Sequence, residues 1–150
     1  MLTASVGINV GAQQLPRAKM IAWTGAFISF CVVGLLGATV TIFPDIWLNN
    51  FESSSLIRDY ATSYLIIVAP FYCFFAAGQT LYFASQGLGK IFYPVIVGII
   101  RLLSVSIICY YVTIYDLSLN FVFYGVSFGL LATGLGLWMC MLGPDWKKQI

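Results

Sequence analysis

From Met20 to Phe43 the chain carries no charged side chain, and three further apolar runs follow at Leu56–Gln86, Ile91–Tyr115 and Leu119–Leu142. A helix needs about 20 apolar residues to cross the hydrocarbon layer of a bilayer, and somewhat more when tilted. Barrel strands are about half that length and alternate in polarity. These runs do not alternate. A helix also satisfies its own backbone hydrogen bonds where no water is available. The expected fold is therefore an all-α membrane protein with four transmembrane helices. Met1–Ala12 is apolar but too short to cross, and reads as an N-terminal partial helix.

Composition points the same way. The chain is 61% hydrophobic and 8% charged, against about 25% charged residues in soluble domains. The net charge of +2 gives no reason to expect a nucleic-acid partner; lipid is the expected one. Histidine is absent, and Cys31, Cys73, Cys109 and Cys140 lie inside apolar runs without metal-like spacing. They read as small buried hydrophobes rather than a disulfide framework or a metal site. No cofactor is expected, and no enzymatic activity. The first dozen residues lack the basic start of a signal peptide.

The tightest connection is Ser85-Gln86-Gly87-Leu88-Gly89-Lys90. Gly87 and Gly89 are expected to supply the positive φ of a sharp helix reversal. Lys90 lies where the carbonyl end of the preceding helix favours a cation. Pro94 fits the opening turn of the next helix, where no amide donor is missed. Gly89-Lys90 is not a phosphate loop, because Ala84 and Ile91 stand where that motif needs Gly and Ser or Thr. The other connections are Gln13–Lys19, Pro44–Asp59 and Asp116–Ser118. Ser53, Ser54 and Ser55 are candidates to cap the second span. Gly143, Pro144 and Asp145 end the last one, before Trp146-Lys147-Lys148.

Four spans place both termini on one side. Arg17, Lys19, Lys90, Lys147 and Lys148 share that side, whereas Arg58 lies opposite with Asp45, Glu52, Asp59 and Asp116. The excess of Lys and Arg marks the first side as cytoplasmic. Trp23, Phe92, Tyr93, Trp138 and Trp146 fit an aromatic belt there, and Trp47, Tyr60, Tyr64, Tyr110, Tyr111 and Tyr115 fit one opposite.

Few polar groups lie inside the spans. Arg101 is about 16 Å along the helix from Lys90, near the bilayer midplane. A cation there costs at least about 2.5–3.5 kcal/mol. It is either a cavity residue or a structural clamp. The second span is apolar only from Tyr60, after Asp59, so no acid lies inside the apolar part of any span, and a carboxylate that loads a coupling ion must sit elsewhere. Pro70 should kink the second span, as a hinge or a static bend. Gln79, Tyr82 and Gln86 recur at helical spacing beside Thr80 and Ser85, to line a cavity or to bond neighbouring helices. Gly125, Gly129 and Thr133, and Gly34, Gly37 and Ala38, form small faces for close helix contact.

The segment Gly7-Ile8-Asn9-Val10-Gly11-Ala12, followed by Arg17 and Ala18, resembles the multidrug and toxic compound extrusion (MATE) family. Members carry a V-G-Q-x-x-G-A-type helix end before a basic loop; Ile8 replaces the usual glutamine. Tyr82–Lys90, followed by Pro94 and Arg101, resembles the turn after the fourth helix of that family's C-terminal lobe. The likeness covers essentially the whole chain. It implies a twelve-helix exporter of organic cations and other drugs, driven by H+ or Na+ exchange, with two six-helix lobes around a central cavity. Residues 1–150 would be a partial C-terminal lobe: the tail of the eighth helix and the ninth to twelfth. The whole first lobe and the start of the second would then be missing partners, and the fragment is expected to be inactive alone, in the plasma membrane. Gly7, Asn9, Gly11, Ala12, Gly87, Gly89, Lys90 and Pro94 carry the family motifs. Gln79, Tyr82, Gln86 and Arg101 are the candidates for facing the cavity. The rival reading is a small four-span structural or assembly protein.

Overall fold

A computed structural model describes residues 1–50 and 54–143. The described residues form α1 (Leu2–Gly11), α2 (Leu15–Ile42), α3 (Pro44–Leu48), α4 (Ser55–Val68), α5 (Tyr72–Gly87), α6 (Phe92–Ile114) and α7 (Asn120–Leu142), with a 3₁₀ turn at Ala69–Phe71 joining α4 to α5. Four helical segments are long and apolar enough to cross a membrane: α2, α4–α5 taken together, α6 and α7. This is the all-α membrane architecture that the four apolar runs imply.

The boundaries differ from the sequence reading in instructive ways. The first span starts at Leu15, not Met20, because Pro16 occupies its opening turn, where a missing amide proton costs nothing. Arg17 and Lys19 therefore ride on the helix itself. The connection after Phe43 contains the five-residue α3, again opened by a proline, Pro44. Ser54 takes the N-cap position of α4 in an extended conformation but forms no side-chain cap bond. Ser53 and Glu52, and Pro144, Asp145, Trp146, Lys147 and Lys148, lie outside the described residues.

Pro70 interrupts the second span with the 3₁₀ turn instead of ending it. The interruption is bridged twice. The Cys73 thiol donates to the Pro70 carbonyl at 3.1 Å, and the Tyr64 and Tyr72 hydroxyls meet at 2.9 Å across the turn.

Three helix ends close with a left-handed residue. After α5, Lys90 N–H donates to Ser85 O and Gly89 N–H to Gln86 O, both at 3.0 Å, and Gly89 has φ 76°. After α1, Gln14 N–H donates to Asn9 O at 2.8 Å and Gln13 N–H to Val10 O at 2.9 Å, with Gln13 at φ 59°. After α6, Leu117 N–H donates to Val112 O at 3.1 Å, with Asp116 at φ 47°. These bonds satisfy carbonyls that a helix end would otherwise leave bare.

The packing order follows from the contacts. α2 runs antiparallel to α5: Ser29 meets Thr80, Phe30 meets Phe74 at 5.3 Å, and Gly37 faces Ala69. α4–α5 runs parallel to α7: Tyr64 meets Phe123, Ser127 Oγ lies 3.0 Å from Ile67 O and 2.9 Å from Phe123 O of its own helix, and Gly78 faces Gly134. α6 is antiparallel to α7, with Ile108 on Gly125, Val105 on Gly129 and Val97 on Gly136. The starts of α2 and α6 and the ends of α5 and α7 thus share one end of the bundle, with Arg17, Lys19 and Lys90. Asp45, Arg58, Asp59 and Asp116 share the other. There Arg58 pairs with Asp45 at 2.7 Å.

Glycine sets the closest of these contacts. A Cβ on Gly134 would lie 2.4 Å from Phe74 O, and one on Gly78 would lie 2.8 Å from the Gly134 Cα. The two backbones therefore touch. The small face of α7 does pack within the bundle, as its spacing implies. On α2 only Gly34 and Gly37 do so; Ala38 is exposed.

Gly134→Ala should therefore destabilise the fold by about 1–3 kcal/mol, the usual cost of overpacking, whereas Gly98→Ala, whose Cβ meets nothing within 4 Å, should be neutral or slightly stabilising. Thermal unfolding of both variants in the same detergent checks the contrast.

Candidate functional site

α5 buries Cys73, Ala77, Gly78, Leu81, Ala84 and Ser85 against its neighbours. Its opposite stripe is left uncovered, and there α2 and α5 form an open groove of about 540 Å³. Its polar lining comes from Ser29 of α2 and from Tyr72, Gln79 and Thr80 of α5, while Phe75 and Phe83 add aromatic faces. Thr80 Oγ1 lies 2.8 Å from Ser29 Oγ and 2.9 Å from the Ala76 carbonyl. A hydroxyl has one proton. With the Thr80 proton on the carbonyl, Ser29 donates to Thr80 and the pair tethers α2 to α5. No carboxylate lines the groove.

Arg101 approaches this groove from behind. Its guanidinium carbon stands 4.6 Å from the Phe75 ring centroid, and its stem rests near Gly129, whose missing side chain leaves the room. The side chain is half-buried and has no acidic partner among the described residues. A desolvated cation–π contact is worth about 2 kcal/mol, which offsets most of the insertion cost of about 2.5–3.5 kcal/mol. Arg101 thus joins α6 to α5 through a ring that is part of the groove wall, without itself lining the groove.

The structure gathers the four candidate residues only in part. Gln79 lines the groove, and Arg101 reaches it through Phe75. Tyr82 and Gln86 follow on α5 towards the basic end, outside the groove lining. Gln86 is exposed, and Tyr82 is half-buried with its ring 5.8 Å from Phe83. None of the three polar α5 side chains bonds a neighbouring helix among the described residues; Thr80 does so instead. Ser29 and Phe75 were not singled out by sequence. Ser29 had a weak signal, a hydroxyl midway along an uncharged run that also holds Thr24, Thr39 and Thr41. Phe75 had none, being one of 12 phenylalanines.

The motif residues meet at the basic end. α1 lies against both α2 and α5, with Val6 wholly buried. A Cβ on Gly87 would lie 2.5 Å from Thr3 O and 3.0 Å from the Val6 Cβ, and one on Gly7 would lie 3.4 Å from Gly87 O. Two motifs far apart in sequence are thus one contact in space. This corrects the expected role of Gly87: it ends α5 in helical conformation, and glycine is needed there for the approach of α1, while Gly89 alone supplies the positive φ. Asn9 bonds its own helix at Ser5 O, 2.8 Å away. Gly11 faces open space, and Ala12 terminates α1. Lys90 is exposed at the turn. Pro94 is buried in the first turn of α6. Among the described residues no group of three or more His, Cys, Asp or Glu side chains is placed to hold a metal ion.

Four helical segments long and apolar enough to cross a bilayer, packed around an open groove without carboxylates, mark an integral membrane protein. A family model described as MatE matches residues 2–112, from α1 almost to the end of α6, and the chain belongs to that family of efflux transporters. α7 lies beyond the matched residues but packs on α5 and α6. No curated protein and no solved structure matches the chain significantly.

Gly87→Ala should lower thermal stability more than Gly11→Ala, because only the first drives a methyl into the α1 backbone. Unfolding temperatures of the two single variants check this, with the Gly11 change expected to sit at the unmodified value.

Proposed function

We propose that the chain forms most of the wall of the C-terminal lobe of an efflux antiporter. The intact transporter would export organic cations and other drug-like molecules in exchange for H+ or Na+. The observation that carries the reading is the α2–α5 groove. It offers hydroxyl, amide and aromatic groups to an amphipathic molecule without any fixed counter-charge. A lipophilic molecule is held there by area and by ring faces, and is released without breaking an ion pair. Gln79 orients it by hydrogen bonding, and Arg101 tunes the field through Phe75. Tyr82 and Gln86 continue the stripe towards the inner mouth. The carboxylate that loads the coupling ion comes from elsewhere in the intact transporter.

The four spans are read here as one part of a larger moving body. Alternating access works by one half rocking against the other around a site between them. No residue in the apolar window of α6 is buried, which fits a helix that acquires neighbours in a complete lobe. By this reading the four spans alone do not transport.

Alanine substitution of Gln79 and Arg101 at the matching positions of a full-length homologous pump should cut drug resistance at normal expression. The Tyr82 and Gln86 positions should have smaller effects, since they lie outside the groove. Unchanged resistance in all four would remove the assignment.

The excess of Arg and Lys at the ends that join α1 to α2 and α5 to α6 supports a cytoplasmic location for those ends and for both termini, read here as those of a plasma-membrane protein. In a variant with the native cysteines replaced, Lys90→Cys should react with an impermeant thiol reagent only after the membrane is opened. Asp116→Cys should react in intact cells. Reaction of both from one face would reject the topology.

A further inference from the structure

A second cavity lies at the opposite end of the bundle from Lys90 and serves no part of the transport reading. It has a volume of about 580 Å³ and sits beneath the corner made by α3 and α4, with α2 and α7 as its further walls. Trp47 roofs it from α3. Tyr60, Ala61 and Leu65 line the α4 side, and Tyr64 with Phe123 forms the floor, their rings edge to face at 5.4 Å. Its lining holds no charged side chain, and its only polar side-chain groups are the hydroxyls of Tyr60 and Tyr64 and the indole N–H of Trp47. One of those, on Tyr64, is already bonded to Tyr72.

The rim has a different character. Arg58 Nη2 donates to Asp45 Oδ1 at 2.7 Å and to Asn49 Oδ1 at 2.6 Å, tying the α3 segment to the start of α4, where the adjoining residues Trp47, Leu48, Ile57 and Tyr60 line the cavity. Both protons of that nitrogen are then engaged. Of the five N–H donors of a guanidinium, three remain without a partner among the described residues. The Arg58 side chain is 41% exposed and that of Asp45 is 72% exposed, so a cation and an anion stand side by side at the mouth. Asp59 is exposed beside them. At this end of the described bundle the acids Asp45, Asp59 and Asp116 outnumber the one base, Arg58.

Depth and charge together select the occupant. Trp47 and Tyr60 are both exposed and apolar-bodied, the side chains that settle at a membrane–water interface. A cavity just below that level, dry inside and charged at the lip, is at the height where a lipid's headgroup meets its chain. A lone phosphate of an anionic lipid meets an excess of carboxylates there. A zwitterionic headgroup meets both partners: its phosphate takes the open edge of Arg58 in charge-assisted hydrogen bonds, and its ammonium faces Asp45. We propose that this cavity holds one acyl chain of a zwitterionic phospholipid whose headgroup bridges Arg58 and Asp45, so that a lipid serves as a fixed structural filler of the α3–α4 corner.

Native mass spectrometry of the full chain, titrated in detergent with phosphatidylethanolamine or phosphatidylglycerol, tests this. A single-lipid adduct should form at about fivefold lower concentration of phosphatidylethanolamine, the factor that one exposed charge pair supplies. Ala61→Phe, which fills the cavity, should remove that difference. Asp45→Asn keeps the acceptor for Arg58 but loses the charge, so it should shrink the difference without abolishing adduct formation and with no change of packing. Equal titration of both lipids by the unmodified chain, preference for phosphatidylglycerol, or a preference that survives both substitutions would overturn the proposal.

Discussion

Backbone contact between α5 and α7 is the constraint on which the bundle depends. Lipid tails are as apolar as leucine side chains, so burying leucine does little to hold membrane helices together. What remains is dispersion between closely apposed surfaces and the occasional hydrogen bond. Gly78 and Gly134 let α5 and α7 touch main chain to main chain, and every other element is arranged around that seam. α2 lies on the next face of α5, where Gly37 lets it meet the Ala69 carbonyl. α6 lies on the far face of α7, across Gly125, Gly129 and Gly136. Polar contacts between the long spans, such as Thr80 with Ser29 and Ser127 Oγ near the Ile67 carbonyl, fix register along surfaces that are otherwise featureless.

Most of this architecture was legible in the residues, because a bilayer leaves so few alternatives. Length and the absence of charge located the spans, and the alternation of Arg and Lys ends ordered them. The seam of α7 was visible as small residues four apart. What stayed hidden was partnership. Nothing in Gly87 distinguishes a glycine that must turn from one that must be approached, and α1 decides the matter. Gln13 and Asp116 adopt the left-handed conformation usually left to glycine, a choice imposed by the turns they close rather than by their own preference. The groove was half legible. Its amide and threonine announced themselves as polar groups in an apolar run, whereas Phe75 became significant only when Arg101 was found over its face.

The interrupted second span links the two cavities. Tyr64 belongs to the one beneath α3, Tyr72 to the groove between α2 and α5, and their hydroxyls meet across the turn at Pro70. Proline removes one backbone donor and crowds the turn before it. A thiol on the Pro70 carbonyl and a phenol pair, both supplied locally, span the turn. The bend is thereby held by side chains that also shape the space on either side of it.

Arg101 also bears on the order of synthesis. Helices enter the membrane from the N-terminus onward, and a cation released into lipid without a partner would favour slipping back towards water. Phe75 lies upstream of Arg101 in the chain, so its ring is already embedded when α6 emerges. Gly129, against which the arginine stem finally rests, arrives last. The sequence thus delivers the ring that meets this charge before the charge itself, and the glycine that leaves room for its stem afterwards.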